Sequence, residues 1–168
     1  MSTWFREITV IDVENLPSDR GAIIVSWHPG GLFDNMLTQG LLPGEQVKFD
    51  GFISSDEELE RVASEVASGK NVVVFPEGEA HTSPKTKEIQ DNAARIALRA
   101  SELSKENPPV IIPVGIHYSR KHNFRERVAL SVERPLQVEG TVEELSSIIS
   151  GEISRASLSR DDWKDREL

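Results

Sequence analysis

"IIVSWHPGGLFDNML", residues 23–37, opens as an apolar, β-branched run and breaks into a histidine, a Pro-Gly-Gly turn and then an aspartate. A run without polar alternation reads as a strand buried on both faces, and here it extends over "AIIVSW" (22–27). Pro29-Gly30-Gly31 supplies a tight turn, and "LFDNMLTQG" (32–40) suits a short helix stopped by Gly40. Strand, turn and helix in succession are the unit of an α/β sheet, and the remaining chain repeats the alternation of short apolar and longer amphipathic stretches.

Upstream, "ITVID" (8–12) reads as a strand, separated from this one by the turn "NLPSDRG". Downstream, "QVKFDGFI" (46–53) reads as a further strand. Ser55 with Glu58 forms a capping-box pattern for a helix that runs to about Ser68 and ends at Gly69, and the acids of "SDEELE" suit its positive end. "NVVVFPEGEAH" (71–81) is a second buried-type strand that runs into a polar turn. In "IQDNAARIALRASEL" (89–103), Ile89, Ala93, Ile96, Ala97, Ala100 and Leu103 share one helical face, and Pro108-Pro109 stops the helix. "VIIPVGIHY" (110–118) and "RVALSVERP" (127–135) are the last strands, and "TVEELSSIISGEISRASL" (141–158) is a final amphipathic helix. The expectation is one domain over residues 1–160 with a solvated tail at 161–168.

Composition narrows the function. The chain has no cysteine, which excludes disulfides, thiolate zinc sites and cysteine nucleophiles. No apolar stretch reaches the length of a membrane span, and "MSTWFREITV" lacks the basic and apolar regions of a signal peptide, so a cytoplasmic protein is expected. With 28 acids against 19 bases and a net charge of −9, nucleic acid is not an expected partner, nor is constitutive adsorption to anionic lipid. Trp4 and Phe5 are open to two readings, a core or cap contact and a foothold at a membrane interface. Oligomeric state is not legible.

Two turns carry chemistry-bearing residues, and both follow strands, where open α/β sheets bind ligands. In the first, a histidine just past a strand and a carboxylate on the next helix can pair, so that Asp34 holds one imidazole nitrogen of His28 and leaves the other to accept a proton. The alternative makes Pro29-Gly30-Gly31 a turn, Asp34 a helix-start residue and His28 an incidental neighbour. In the second, Glu77 and the amides around Gly78 either face a polar substrate group or merely form a turn with Glu77 exposed. There is no G-x-S-x-G elbow, Walker loop, G-x-G-x-x-G after a strand or H-E-x-x-H, and the spacings of His28, His81, His117 and His122 match no standard metal-ligand pattern.

Taken in order, "WHPGGLFD", "FPEGEAH" and "VIIPVGIHY" resemble the motifs of the glycerolipid acyltransferase superfamily, the PlsC-type glycerol-3-phosphate and lysophosphatidate acyltransferases. The resemblance spans roughly residues 8–140 and includes "AARIAL" in the helix after the second turn. It implies a mixed, mostly parallel central sheet flanked by helices. It also implies transfer of a fatty acyl group from an acyl-CoA or acyl-carrier-protein thioester to a hydroxyl of a glycerophosphate or lysophospholipid-type acceptor, with no resident cofactor or metal. His28 would be the general base and Asp34 its orienting partner. Glu77 and Gly78 would belong to the acceptor turn, with His81 either lining the acceptor site or capping that turn, and Pro113 to the acyl or thioester side. Leu32 and Phe33 would border an apolar groove for the acyl chain, with core packing as the alternative. A thioester is already activated, so a base on the attacking hydroxyl and support for the oxyanion suffice chemically.

The chain also departs from the commonest family pattern. Trp27 precedes the histidine where Asn is usual, and five residues rather than four separate His28 from Asp34, a spacing associated with members carrying "HPxxLxD"-like turns. "GFISSDEE" lacks the usual basic residue and "EGEAH" lacks the Thr-Arg that often follows Glu-Gly, leaving Lys85, Lys87 and Arg95 with two readings, substitute cations for an acceptor phosphate or a solvated helix face. The sequence leaves little room for the family's amino-terminal helices, so weak peripheral contact with a membrane is expected. Two rival uses of the same residues are a thioesterase or ester hydrolase with water as acceptor, and a non-catalytic lipid- or acyl-carrier-binding module.

Overall fold

The computed structural model describes residues 5–28, 32–78, 86–119 and 126–157. Its elements in chain order are β1 (Phe5–Ile11), a short 3-10 turn (Val13–Asn15), β2 (Ala22–Ser26), α1 (Leu32–Leu41), α2 (Asp56–Ala67), β3 (Asn71–Val74), α3 (Asn92–Leu103), β4 (Val110–Tyr118), β5 (Glu126–Val132) and α4 (Val142–Ala156). Five strands form one sheet in the order β1-β5-β4-β2-β3. β3 and β4 both run parallel to β2, β5 is antiparallel to β4, and β1 is parallel to β5. The sheet is therefore mixed and mostly parallel, as expected.

The unalternating runs explain why β2 and β3 sit inside: every residue of both strands is buried. Ile23, Val25 and Trp27 point to one face, where they join Val62, Ala63 and Val66 of α2, Ala93, Ile96, Ala97 and Ala100 of α3, and Leu145, Ile149 and Ile153 of α4. Ala22 and Ile24 point to the other face with Ile112, Val114 and Ile116 of β4 and Leu37 of α1. Asn71 fastens the start of β3, accepting from Ala22 N at 3.1 Å and donating to Pro43 O at 3.0 Å.

Residues 46–53 do not form the expected strand: Gln46 makes an isolated bridge with Asn71, and the rest is irregular. Asp50-Gly51 turns the chain, with Gly51 at φ 89°, and β3 is too short to template a longer partner. Val47 and Ile53 are nevertheless buried, so the apolar alternation served packing rather than a ladder. The capping box at α2 is also displaced. Ser55 Oγ accepts from Glu58 N, but the Glu58 carboxylate turns to the N–H and hydroxyl of Ser54. A complete box caps α4 instead, between Thr141 and Glu144.

α3 begins at Asn92 rather than Ile89, because Gln90 N donates to Pro76 O at 2.6 Å and holds the preceding segment against the second turn. β5 stops at Val132, short of Pro135. That early stop accommodates Pro113 within β4. The β5-facing side of Pro113 accepts from Glu133 N at 2.9 Å, so its missing N–H falls opposite the break in β5 and removes no bond to β2. The tail at 161–168 lies outside the described residues.

Candidate active site

Parallel pairing of β3, β2 and β4 brings their carboxyl ends to one edge of the sheet. β2 delivers Trp27 and His28, β3 delivers Phe75 and the Pro76-Glu77-Gly78 turn, and β4 delivers Tyr118. α1 starts above this edge with Asp34 in its first turn, where the helix dipole favours a carboxylate.

The two residues singled out in the first turn do meet. His28 Nδ1 lies 2.9 Å from Asp34 Oδ2, and the Asp34 side chain is 0% exposed against 18% for His28. An ionised carboxylate only accepts, so Nδ1 carries the hydrogen in this contact and Nε2 of the neutral ring keeps its lone pair. The contact is the pairing that the base reading requires. Thr38 Oγ1 donates to Asp34 O at 2.8 Å, which fixes the backbone of the first turn.

Sequence reasoning missed three supports. The Phe75 ring stacks on the imidazole, with centroids 4.3 Å apart and planes at 23°. The Tyr118 hydroxyl donates to Asp34 Oδ1 at 2.6 Å. Trp27, noted only as a departure from the family pattern, is 2% exposed and donates from Nε1 to Ile116 O at 3.2 Å, locking the end of β2 to β4. Each was visible as an aromatic at a strand end, but only the strand order says which ends are neighbours.

Glu77 is neither exposed nor aimed only outward. It is 6% exposed, with Oε1 accepting from His28 N at 3.1 Å and Oε2 from Lys87 N at 2.5 Å. The carboxylate therefore clamps three pieces of backbone together: the end of β2, the second turn and the segment leading to α3. Gly78 closes that turn at φ 76°, with its N–H donating to Phe75 O at 3.0 Å. That positive φ is what calls for glycine, since the Gln90 side-chain end 2.4 Å from a Cβ placed there can swing aside.

A solved structure shares this arrangement of elements. The 1-acyl-sn-glycerophosphate (LPA) acyltransferase PlsC from Thermotoga maritima superposes with a TM-score of 0.69 at 21% identity, over 92% of this chain and 72% of that one. The fold is that of a PlsC-type glycerolipid acyltransferase domain. Glycerol-3-phosphate O-acyltransferase 2 of Saccharomyces cerevisiae is 26% identical over 133 residues, 79% of this chain. The chain spans 18% of the length of that yeast protein. No family model matches the chain. Both likenesses agree with the resemblance carried by the order of the motifs.

Within this PlsC-type fold the remaining candidates scatter. Phe33 is half-buried and packs edge-on against Phe5, at 5.6 Å and 80°, so it serves the core below α1. Phe5 itself is 8% exposed and takes the core reading. Pro113 is buried within β4 opposite Val25, inside the sheet rather than at its edge. Lys87 is exposed beside the second turn, and Arg95 is half-buried in the first turn of α3. Leu32 opens α1, but its side chain lies outside what is described, as do Trp4, Pro29, Gly30, Gly31, His81 and Lys85. Among the described residues, no helix is long and apolar enough to cross a membrane.

Proposed function

We propose that the chain is an O-acyltransferase that moves a fatty acyl group from an acyl-CoA or acyl-carrier-protein thioester to a hydroxyl of a glycerophosphate or lysophospholipid-type acceptor. The observation that carries this reading is the 2.9 Å contact between His28 and the fully buried Asp34 at the carboxyl edge of the sheet. Nε2 of His28 removes the proton from the acceptor hydroxyl as its oxygen attacks the thioester carbonyl. The tetrahedral intermediate then collapses with loss of the thiolate, which takes the proton back from the imidazolium. Asp34 stabilises the imidazolium between those two steps, and no covalent enzyme intermediate is required.

Both relatives support the acceptor class, since one is named a glycerol-3-phosphate O-acyltransferase and the other a 1-acyl-sn-glycerophosphate acyltransferase. Lys85, Lys87 and Arg95 are the proposed cations for an acceptor phosphate. The setting we propose is cytoplasmic, with weak peripheral contact at a membrane where a lipid-like product is released.

The test is direct. The purified chain is mixed with acyl-CoA, with and without a panel of glycerol-based acceptors, while free CoA and acylated product are both followed. Acceptor-dependent CoA release with matching product supports acyl transfer. Acceptor-independent release would replace it with hydrolysis, and binding without release would leave a lipid-binding module. His28→Ala should lower turnover by about a hundredfold or more while the folded spectrum is kept.

A further inference from the structure

Asp34 has a second partner that the proton transfers above leave unused. We propose that Tyr118 is a positioning residue for the base: its hydroxyl sets the plane of the Asp34 carboxylate so that Oδ2 faces His28 Nδ1. The kinetic consequence rests on the acyl-transfer reading, whereas the geometric one does not.

The need for such a residue follows from the geometry. The Asp34 backbone is set by α1 and the Thr38 hydroxyl, but the torsion that orients its carboxylate is broad, so a directional donor at each oxygen fixes its plane. Oδ1 is buried as well and requires a donor of its own. Tyr118 supplies one at 2.6 Å, within the short range of a donor bound to a carboxylate.

The chemistry of the donor fits the task. A phenol hydroxyl is neutral, so it can orient the carboxylate without cancelling the charge that must hold the imidazolium; a lysine or arginine there would compete with His28 for Asp34. The side chain has few rotatable bonds, and Tyr118 is the last residue of β4, paired there with Val128 of β5. It also lies against Phe5, with centroids 6.3 Å apart. The hydroxyl is thus tied to the sheet, the carboxylate to α1 and the imidazole to β2. The three meet through contacts 84 and 6 residues apart in sequence.

The experiment uses two changes in the full chain. Tyr118→Phe deletes only the hydroxyl. Tyr118 is also the single tyrosine, so growth on 3-fluorotyrosine alters that phenol alone and makes it a stronger donor. Tyr118→Phe should lower kcat by about ten- to a hundredfold, with KM for donor and acceptor changing by no more than about threefold, as expected when an oriented charge-assisted hydrogen bond is lost. In parallel, the Nδ1–H resonance of His28 in 15N-histidine-labelled protein should move in Tyr118→Phe, and move in the opposite sense in the fluorotyrosine protein.

A His28 resonance that stays at the parent position in both proteins overturns the assignment, whatever the activity. So does a kcat loss that merely tracks loss of folded protein. If the parent chain transfers no acyl group, the acyl-transfer reading fails on its own, and the resonance still decides the role of Tyr118. If Tyr118→Phe does not fold, the fluorotyrosine shift decides it.

Discussion

The backbone N–H of His28 donates to Oε1 of Glu77 at 3.1 Å, so the turns that end β2 and β3 are joined at the very residue that carries the proposed base. Glu77→Gln keeps the shape but leaves one oxygen for two N–H donors, and sets an NH₂ against the other. One charge-assisted bond is lost, about 1.5–3 kcal/mol, which corresponds to a fall in Tm of roughly 3–12 °C for a chain of this size. kcat should fall with it, because the end of β2 loses its anchor. Calorimetry and steady-state kinetics on the same sample check this. An unchanged Tm with only a raised acceptor KM would mean that Glu77 contacts the acceptor instead.

Asp34→Asn tests the dyad without changing volume. The amide has one acceptor for two donors, Tyr118 and His28 Nδ1–H, and its NH₂ group favours the wrong imidazole tautomer. Turnover should fall on the order of a hundredfold to ten-thousandfold. A silent substitution would show that the observed contact does no chemistry.

Gly115 lies where β4 meets the end of α4. A Cβ there would stand 2.3 Å from Ala156 O and 2.6 Å from both Ser131 Oγ and His117 Nε2. Gly115→Ala must push backbone as well as side chains, so it should destabilise by about 1–3 kcal/mol and lower Tm by roughly 2–12 °C. Activity per folded molecule should be kept, because this contact is on the face away from α1. Urea unfolding paired with initial rates separates the two effects.

The α2–α3 pairing carries a pH-dependent tie. Arg99 donates to both oxygens of Glu60 at 2.7 and 2.9 Å, and that hydrogen bonding holds the Glu60 carboxyl below its ordinary value. A carboxyl lowered in the folded state contributes stability above its unfolded pKa, about 4.3, and loses it as pH falls through the folded value. The stability gap between the parent and Arg99→Gln should therefore be widest above about pH 5 and close as acid is added. A gap that grows on acidification would contradict the assignment of Arg99 as the partner that lowers Glu60.

How much of this was legible beforehand depended on whether the cause was local. The runs "AIIVS" and "NVVV" identify buried strands because burial on both faces tolerates no polar alternation, and Gly69 and Ser55 mark the ends of α2 for equally local reasons, whereas the complete box at Thr141/Glu144 was not picked out. The His28–Asp34 pair was within reach because a single turn separates its members. "QVKFDGFI" misled because the same alternation serves a packed loop when the neighbouring strand is short.

The sequence by itself determined the strand-and-helix alternation, the two polar turns and the residues able to act as a base and its partner. Only the tertiary structure decided that β3, β2 and β4 lie side by side. That order turns Glu77 inward onto His28 N, 49 residues away, stacks Phe75 on the imidazole and brings Tyr118 to Asp34. The physical reason is that strand adjacency is set by how α2, α3 and α4 bury the apolar residues of one face, a property of the whole core that no local period encodes.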